Sequence, residues 1–218
     1  MTNNILITRP NHELIVSYLC FWGKELIQLA EAKGFRVSDF KGQKANRKNF
    51  DKYLKKQNPI LILLNGHGSN KMVMGFNNEP LLILNQNDDL VKGSIIHALS
   101  CNSSSRLGKT AVEKGAKAYL GYKFPFTILT DKNNESRPMK DKLASVFKDP
   151  AIEIPKQLIN NKTVKFAYEK AKAKYKEQIL FYSASDSPEE AEYIRFALFS
   201  NMIALDLQCE DENAKIKM

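Results

Sequence analysis

Two apolar stretches decide the fold of this chain: LILLNGHGS, residues 61–69, and IIHALSCNSSS, residues 95–105. Each apolar run ends in a reactive side chain, His67 after the first and Cys101 after the second. Continuous apolar runs of this kind are typical of strands buried on both faces of a parallel sheet. If the two runs are neighbouring strands, an imidazole and a thiol lie side by side where open α/β sheets bind ligands.

The flanking sequence alternates between strand and helix patterns. Strands are predicted over 5–8, 35–40, 60–64, 94–100 and 118–121, and helices over 15–29, 45–56 and 106–114. Residues 72–76 and 81–84 predict a hairpin between His67 and Cys101. This order predicts an α/β fold, a three-layer αβα sandwich with a mostly parallel sheet and a small hairpin between the histidine and cysteine strands.

The C-terminal third is mostly helical in pattern. Helical stripes run from Val164 to Tyr182 and from Ala191 to Leu205, and the last helix is predicted to be capped by Ser187, Pro188 and Glu190. We expect a single domain over 1–208 and a flexible polar tail over 209–218.

Composition restricts the class of protein. The chain has 218 residues, three cysteines and a formal net charge of +9, and it shows neither a secretory leader nor a long apolar stretch. We therefore expect a cytoplasmic protein with reduced cysteines and no membrane partner.

The positive charge is concentrated in two stretches. Lys41 to Lys56 contains seven Lys or Arg residues, and Lys162 to Lys176 contains six Lys residues. Such faces attract nucleic acid, an acidic partner or an anionic membrane surface. The alternative is a solvated helix face that only keeps the protein soluble.

The residues around His67 and Cys101 are suited to acyl transfer. A thiol attacks a carbonyl as the thiolate, which a histidine or a helix N-terminus favours, and the polar residues after Cys101 can cap the helix predicted over 106–114. His67 would be the base. The backbone N–H groups of Gly68 and Cys101 would form an oxyanion hole.

The segments LLNGHGS and ALSCNSSSRLGKTAVEKGAKAYLGY resemble the His and Cys blocks of the caspase-like cysteine peptidases, especially their bacterial CHAT and gingipain-type branch. The resemblance covers residues 60–122. It implies a caspase-like sandwich, a His67/Cys101 dyad that cleaves peptide bonds without metal or cofactor, and a protein or peptide substrate. It also implies the context of a regulatory protein partner and antiviral defence in bacteria.

The resemblance does not by itself fix which residue is preferred before the scissile bond. The caspase signature Q-A-C-x-G is absent around Cys101, so specificity for aspartate is not implied. In the family, charged side chains near the first strand and after the strand that follows the cysteine choose the residue before the scissile bond. Arg9 would receive an acidic side chain and Asp131 a basic one, and we favour Asp131.

Other readings of these residues remain open. His97 and Cys20 are expected to be structural, His12 to be a surface or capping residue, and no spacing suggests a metal site. A second hypothesis is a binding module, either a caspase-like scaffold with weak turnover or a basic α/β domain that engages nucleic acid or a protein. A third is an amidotransferase, which lacks its usual glycine pattern here.

Overall fold

The structure, a computed structural model, describes residues 3–135, 137–184 and 190–216. The strands are β1 (Asn4–Arg9), β2 (Arg36–Lys41), β3 (Leu61–Asn65), β4 (Gly68–Ser69), β5 (Met72–Met74), β6 (Pro80–Ile83), β7 (Ile95–Leu99), β8 (Ala118–Tyr122) and β9 (Leu205–Cys209). The helices are α1 (Leu14–Ala32), α2 (Arg47–Gln57), α3 (Lys109–Glu113), α4 (Lys142–Ile159), α5 (Val164–Phe181) and α6 (Ala191–Ala204).

The main sheet has six strands in the order β2-β1-β3-β7-β8-β9. All neighbouring pairs are parallel except β8 and β9, which are antiparallel. A separate antiparallel sheet of β4, β5 and β6 follows β3 and includes the predicted hairpin. The α/β fold with a mostly parallel sheet is therefore confirmed.

Alternate residues of the buried strands supply two cores. Ile5, Leu61 and Ile95 pack in the core that also contains residues of α1, α4, α5 and α6. Leu6 and Ile62 point the other way, into the core beneath α2, α3 and the small sheet. Side chains alternate along a strand, so a strand that is apolar at every position must be covered on both faces. This gives the predicted three layers.

The C-terminal segment differs from the sequence prediction. The stripe that predicts a helix as far as Leu205 is helical only to Ala204, and the chain then enters β9 at the sheet edge. Residues 209–216, predicted as a flexible tail, pack on the domain: Ile216 is buried, and the Val164 N–H donates to the Ala214 carbonyl at 2.9 Å.

Two helix starts also differ in detail. The helix predicted over 106–114 is a π-helical turn, Ser104–Gly108, followed by α3. Helix α6 begins at Ala191, so Glu190, predicted as the capping-box acid within its first turn, lies directly before it. The other predicted capping residues, Ser187 and Pro188, lie outside the described residues. No helix in the described part of the chain is long and apolar enough to cross a membrane.

Candidate active site

Strands β3 and β7 place His67 and Cys101 at equivalent positions on neighbouring strands. The two strands are parallel, and their last paired residues are Asn65 and Leu99. His67 and Cys101 each follow two residues later in the sequence. The pairing extends past the strands, because the Gly66 N–H donates to the Leu99 carbonyl at 3.4 Å. Both reactive residues therefore lie just beyond the carboxyl ends of adjacent parallel strands, at the same end of the sheet.

The backbone around Gly68 is close to the backbone around Cys101. The Ser100 hydroxyl donates to the His67 carbonyl at 3.0 Å. A Cβ atom on Gly68 would collide with the Ser100 hydroxyl and would lie 2.9 Å from the Cys101 carbonyl oxygen. Only glycine allows this approach. The two backbone segments predicted to supply the oxyanion hole are therefore neighbours.

The imidazole of His67 is held by a carboxylate. Its Nε2 lies 2.7 Å from the Glu13 carboxylate, and the side chain of His67 is 39% exposed. A carboxylate only accepts hydrogen bonds, so Nε2 carries the proton and Nδ1 is the free nitrogen of the neutral ring. The hydrogen bond from His67, followed by one from Asn78, lowers the pKa of the Glu13 carboxyl below its ordinary value.

Sequence reasoning missed Glu13. It lies directly before α1 and is 54 residues from His67 in the sequence, so no local pattern links them. His12, predicted as a surface or capping residue, belongs to the same cluster. Its side chain is only 8% exposed, and Nε2 lies 3.3 Å from the Asn78 side chain.

Cys101 lies in a turn that contacts a long extended segment after β8. Its Sγ accepts a hydrogen bond from the Phe126 N–H at 3.3 Å, and the Asn102 N–H donates to the Phe124 carbonyl at 3.3 Å. Asn102 has a φ of 59°, a left-handed conformation that asparagine tolerates and that turns the chain sharply after the cysteine. Cys101 is partly exposed.

A buried side chain of α6 fixes that extended segment. Asn201 accepts a hydrogen bond from the Thr127 N–H at 2.8 Å and donates to the Thr127 carbonyl at 2.7 Å. Asn201 is fully buried, so these two bonds satisfy a side-chain amide that water does not reach. Helix α6 therefore holds the backbone of Thr127, which directly follows Phe126, the residue whose N–H contacts the Cys101 sulfur.

Arg9, one of the two predicted substrate-binding residues, is occupied by protein groups. Its side chain is 8% exposed, Nε donates to Asp39 at 2.9 Å, and Nη1 donates to the Cys20 carbonyl at 2.9 Å. These contacts tie the end of β1 to β2 and α1. The guanidinium has an acidic partner within the protein.

Asp131, the other predicted substrate-binding residue, lines a cavity of about 650 Å³ with Lys140 and Tyr182. Its partly exposed carboxylate accepts from the Asn133 N–H and the Asn134 side-chain amide, which lower its pKa in that order. The residues lining this cavity include neither His67 nor Cys101.

The remaining cysteines and His97 take structural positions. Cys20 is buried in α1, and Cys209 lies in β9. His97 is buried in β7, where its Nε2 has no hydrogen-bond partner among the described residues, and burial lowers its pKa from 6.5 to about 3. In the described residues no group of three or more His, Cys, Asp or Glu side chains could hold a metal ion.

No protein-family model matches this chain, and no curated protein matches it. The arrangement offers a partly exposed cysteine, an imidazole oriented by a carboxylate, and two backbone segments that approach closely at a glycine. Such a set is suited to attack on a carbonyl carbon.

Proposed function

We propose that the chain is a caspase-like cysteine endopeptidase in which Cys101 is the nucleophile and His67 is the base. The observation that carries the proposal is the parallel pairing of β3 and β7, which brings both residues to one edge of the sheet at equivalent positions. The topology also matches the fold that the sequence resemblance implies, with a hairpin between the two strands.

The reaction follows from these roles. His67 takes the thiol proton on Nδ1, and the Cys101 sulfur bonds to the carbonyl carbon of the scissile amide. The negative charge that develops on the oxygen is stabilised by the N–H groups of Gly68 and Cys101. His67 returns its proton to the leaving amine as the carbon–nitrogen bond breaks, which leaves a thioester. Water, deprotonated by His67, then releases the acid and the free thiol.

Glu13 is a positioning residue in this scheme. Its hydrogen bond fixes Nε2 as the protonated nitrogen and so presents Nδ1 as the base. The carboxylate also stabilises the imidazolium that exists between the two proton transfers, as an acidic partner does in other nucleophile–histidine sites.

For the substrate we propose a protein or peptide with a basic residue before the scissile bond. Arg9 is already paired with Asp39, whereas the Asp131 carboxylate is partly exposed and lines a cavity. In its biological setting we propose a regulated effector protease of bacterial defence, cytoplasmic and controlled by a protein partner, as the family resemblance implies.

The test is labelling by peptidyl chloromethyl ketones that carry Arg, Lys or Asp next to the reactive group, followed by mass mapping. We expect Cys101 to be alkylated, the Arg and Lys reagents to react fastest, and Asp131→Asn to remove that preference. Cys101→Ala is the matched control and must abolish the label. Equal labelling of Cys20, Cys101 and Cys209 by all reagents contradicts the proposal.

A second candidate function, an anion-binding module, is favoured by a groove between β2 and α2. The groove has a volume of about 400 Å³, a floor of the Phe40 and Tyr53 rings, and a rim that includes Lys44, Lys52 and Lys56. Rings and lysines together are typical of nucleic-acid binding sites. Salt-dependent RNA or DNA binding that survives Cys101→Ala and is lost in Lys52→Glu would support this function.

A further inference from the structure

Helix α6 presents an apolar face to solvent. Tyr193, Phe196, Phe199 and Ile203 are 71%, 73%, 49% and 46% exposed. They are spaced by three, three and four residues, so they lie on one side of the helix. The opposite side, which includes Asn201, is buried. Four large apolar side chains in one exposed row mark an interaction surface, because monomers rarely expose such a patch without a partner.

The two ends of this face carry opposite charge. Glu192 is exposed in the first turn of α6. Lys172 lies near the other end of α6. Its Nζ is 5.2 Å from the centre of the Tyr168 ring. The Tyr168 hydroxyl in turn donates to the carbonyl of Leu205, the residue directly after α6. Within the described residues Lys172 forms no ion pair. Glu192 therefore marks the N-terminal end of the face, where Arg195 donates to the Tyr182 carbonyl, and Lys172 marks the C-terminal end.

We infer that this face binds a second copy of the chain, with α6 packed antiparallel against α6 of the partner. A two-fold axis near the middle of the helix places each apolar row on the other. The same axis places Glu192 of each copy near Lys172 of the other. A face with an apolar centre and opposite charges at its ends is complementary to itself in this orientation alone, because parallel packing opposes like charges.

The available area fits a reversible dimer. The four side chains of the row would bury on the order of 1,000 Å² over both copies. This is the lower end of the range for specific interfaces. The dimer does not depend on the peptidase proposal, because none of these side chains belongs to the candidate active site.

Sedimentation velocity of the full chain tests the dimer directly. We expect a shift from monomer to dimer as the protein concentration rises, and Phe196→Asp to raise the dissociation constant about tenfold or more. Met139→Asp is the matched control, since Met139 is 72% exposed outside this face, and it should dimerise like the wild type. Circular dichroism checks that both variants are folded.

A charge exchange tests the orientation. Glu192→Lys alone and Lys172→Glu alone should each weaken the dimer about two- to fivefold, and the double variant should restore it. A wild-type protein that stays monomeric at every concentration overturns the inference. So does a dimer that Phe196→Asp leaves intact, because another surface then holds it, or a double variant weaker than both single variants.

Discussion

At the scale of single residues, the candidate site depends on contacts between residues far apart in sequence. His67 and Cys101 could be predicted, because each follows an apolar run and His67 lies between two glycines. Glu13 could not, because only the packing of the N-terminus of α1 beside β3 brings it to the imidazole. The role of Arg9 was equally hidden, since its partner Asp39 lies on a different strand.

Replacing Glu13 tests its role as a positioning residue. Glu13→Gln replaces the carboxylate with a neutral amide, which no longer stabilises the positive charge of the imidazolium. We therefore expect kcat to fall about tenfold or more while KM changes little. Steady-state hydrolysis of the best peptide found by labelling measures both constants. Glu31→Gln, an exposed glutamate on α1, is the control and should behave like the wild type. Equal kcat in the two variants rules out the role.

The close approach at Gly68 makes a second prediction. Gly68→Ala places a Cβ against the Ser100 hydroxyl and the Cys101 carbonyl, so the two strand ends must move apart. We expect a loss of about 1 to 3 kcal/mol in the free energy of unfolding, together with loss of activity. Urea unfolding and peptide hydrolysis measure the two effects. Asn70→Ala, an exposed position in the turn that follows, should change neither, and an active, fully stable Gly68→Ala would refute the proposed oxyanion hole.

At the scale of secondary structure, sequence patterns predict the buried strands better than the sheet edge. β3 and β7 are apolar at nearly every position, so burial on both faces leaves a clear pattern. β9 reads Leu-Asp-Leu-Gln-Cys and is only partly buried, and its first residue continues the apolar stripe of α6. Because Leu205 fits the helical spacing of α6, the sequence pattern does not indicate where α6 ends and the edge strand β9 begins.

The link between α6 and the extended segment beside Cys101 gives a prediction at this scale. Asn201→Ala removes both hydrogen bonds to the Thr127 backbone, and at about 0.5 to 1.5 kcal/mol for each bond this costs about 1 to 3 kcal/mol. Hydrogen exchange at the Phe126 and Thr127 amides should become faster than in the wild type. The neighbouring Ser200→Ala serves as the control. Unchanged exchange at both amides would show that α6 does not hold this segment.

At the scale of the whole molecule, the fold is stabilised by two cores, one on each side of the main sheet. A buried histidine in that sheet makes the stability of the protein depend on pH. The pKa of His97 falls from 6.5 to about 3 on burial. The unfolded chain therefore binds a proton on this residue more readily than the folded protein does. This contribution to stability is complete above the unfolded pKa and is lost progressively as the pH falls from 6.5 towards 3.

His97→Leu isolates that effect. Between about pH 6 and 5, where most carboxylates stay charged, the wild type should lose up to about 1 kcal/mol more of its free energy of unfolding than the variant. Urea unfolding at both pH values measures the difference. Parallel losses in the two proteins would show that His97 is protonated equally in the folded and unfolded states.

The central claim is that the imidazole of His67 activates the sulfur of Cys101, and the rate of alkylation of each cysteine by iodoacetamide tests it without any substrate or activator. Mass mapping during the reaction gives the rates for Cys20, Cys101 and Cys209 separately. The account predicts that Cys101 reacts fastest at neutral pH and that His67→Ala slows this cysteine alone, by about tenfold or more. A Cys101 that reacts no faster than Cys209, or at the same rate after His67→Ala, would contradict it.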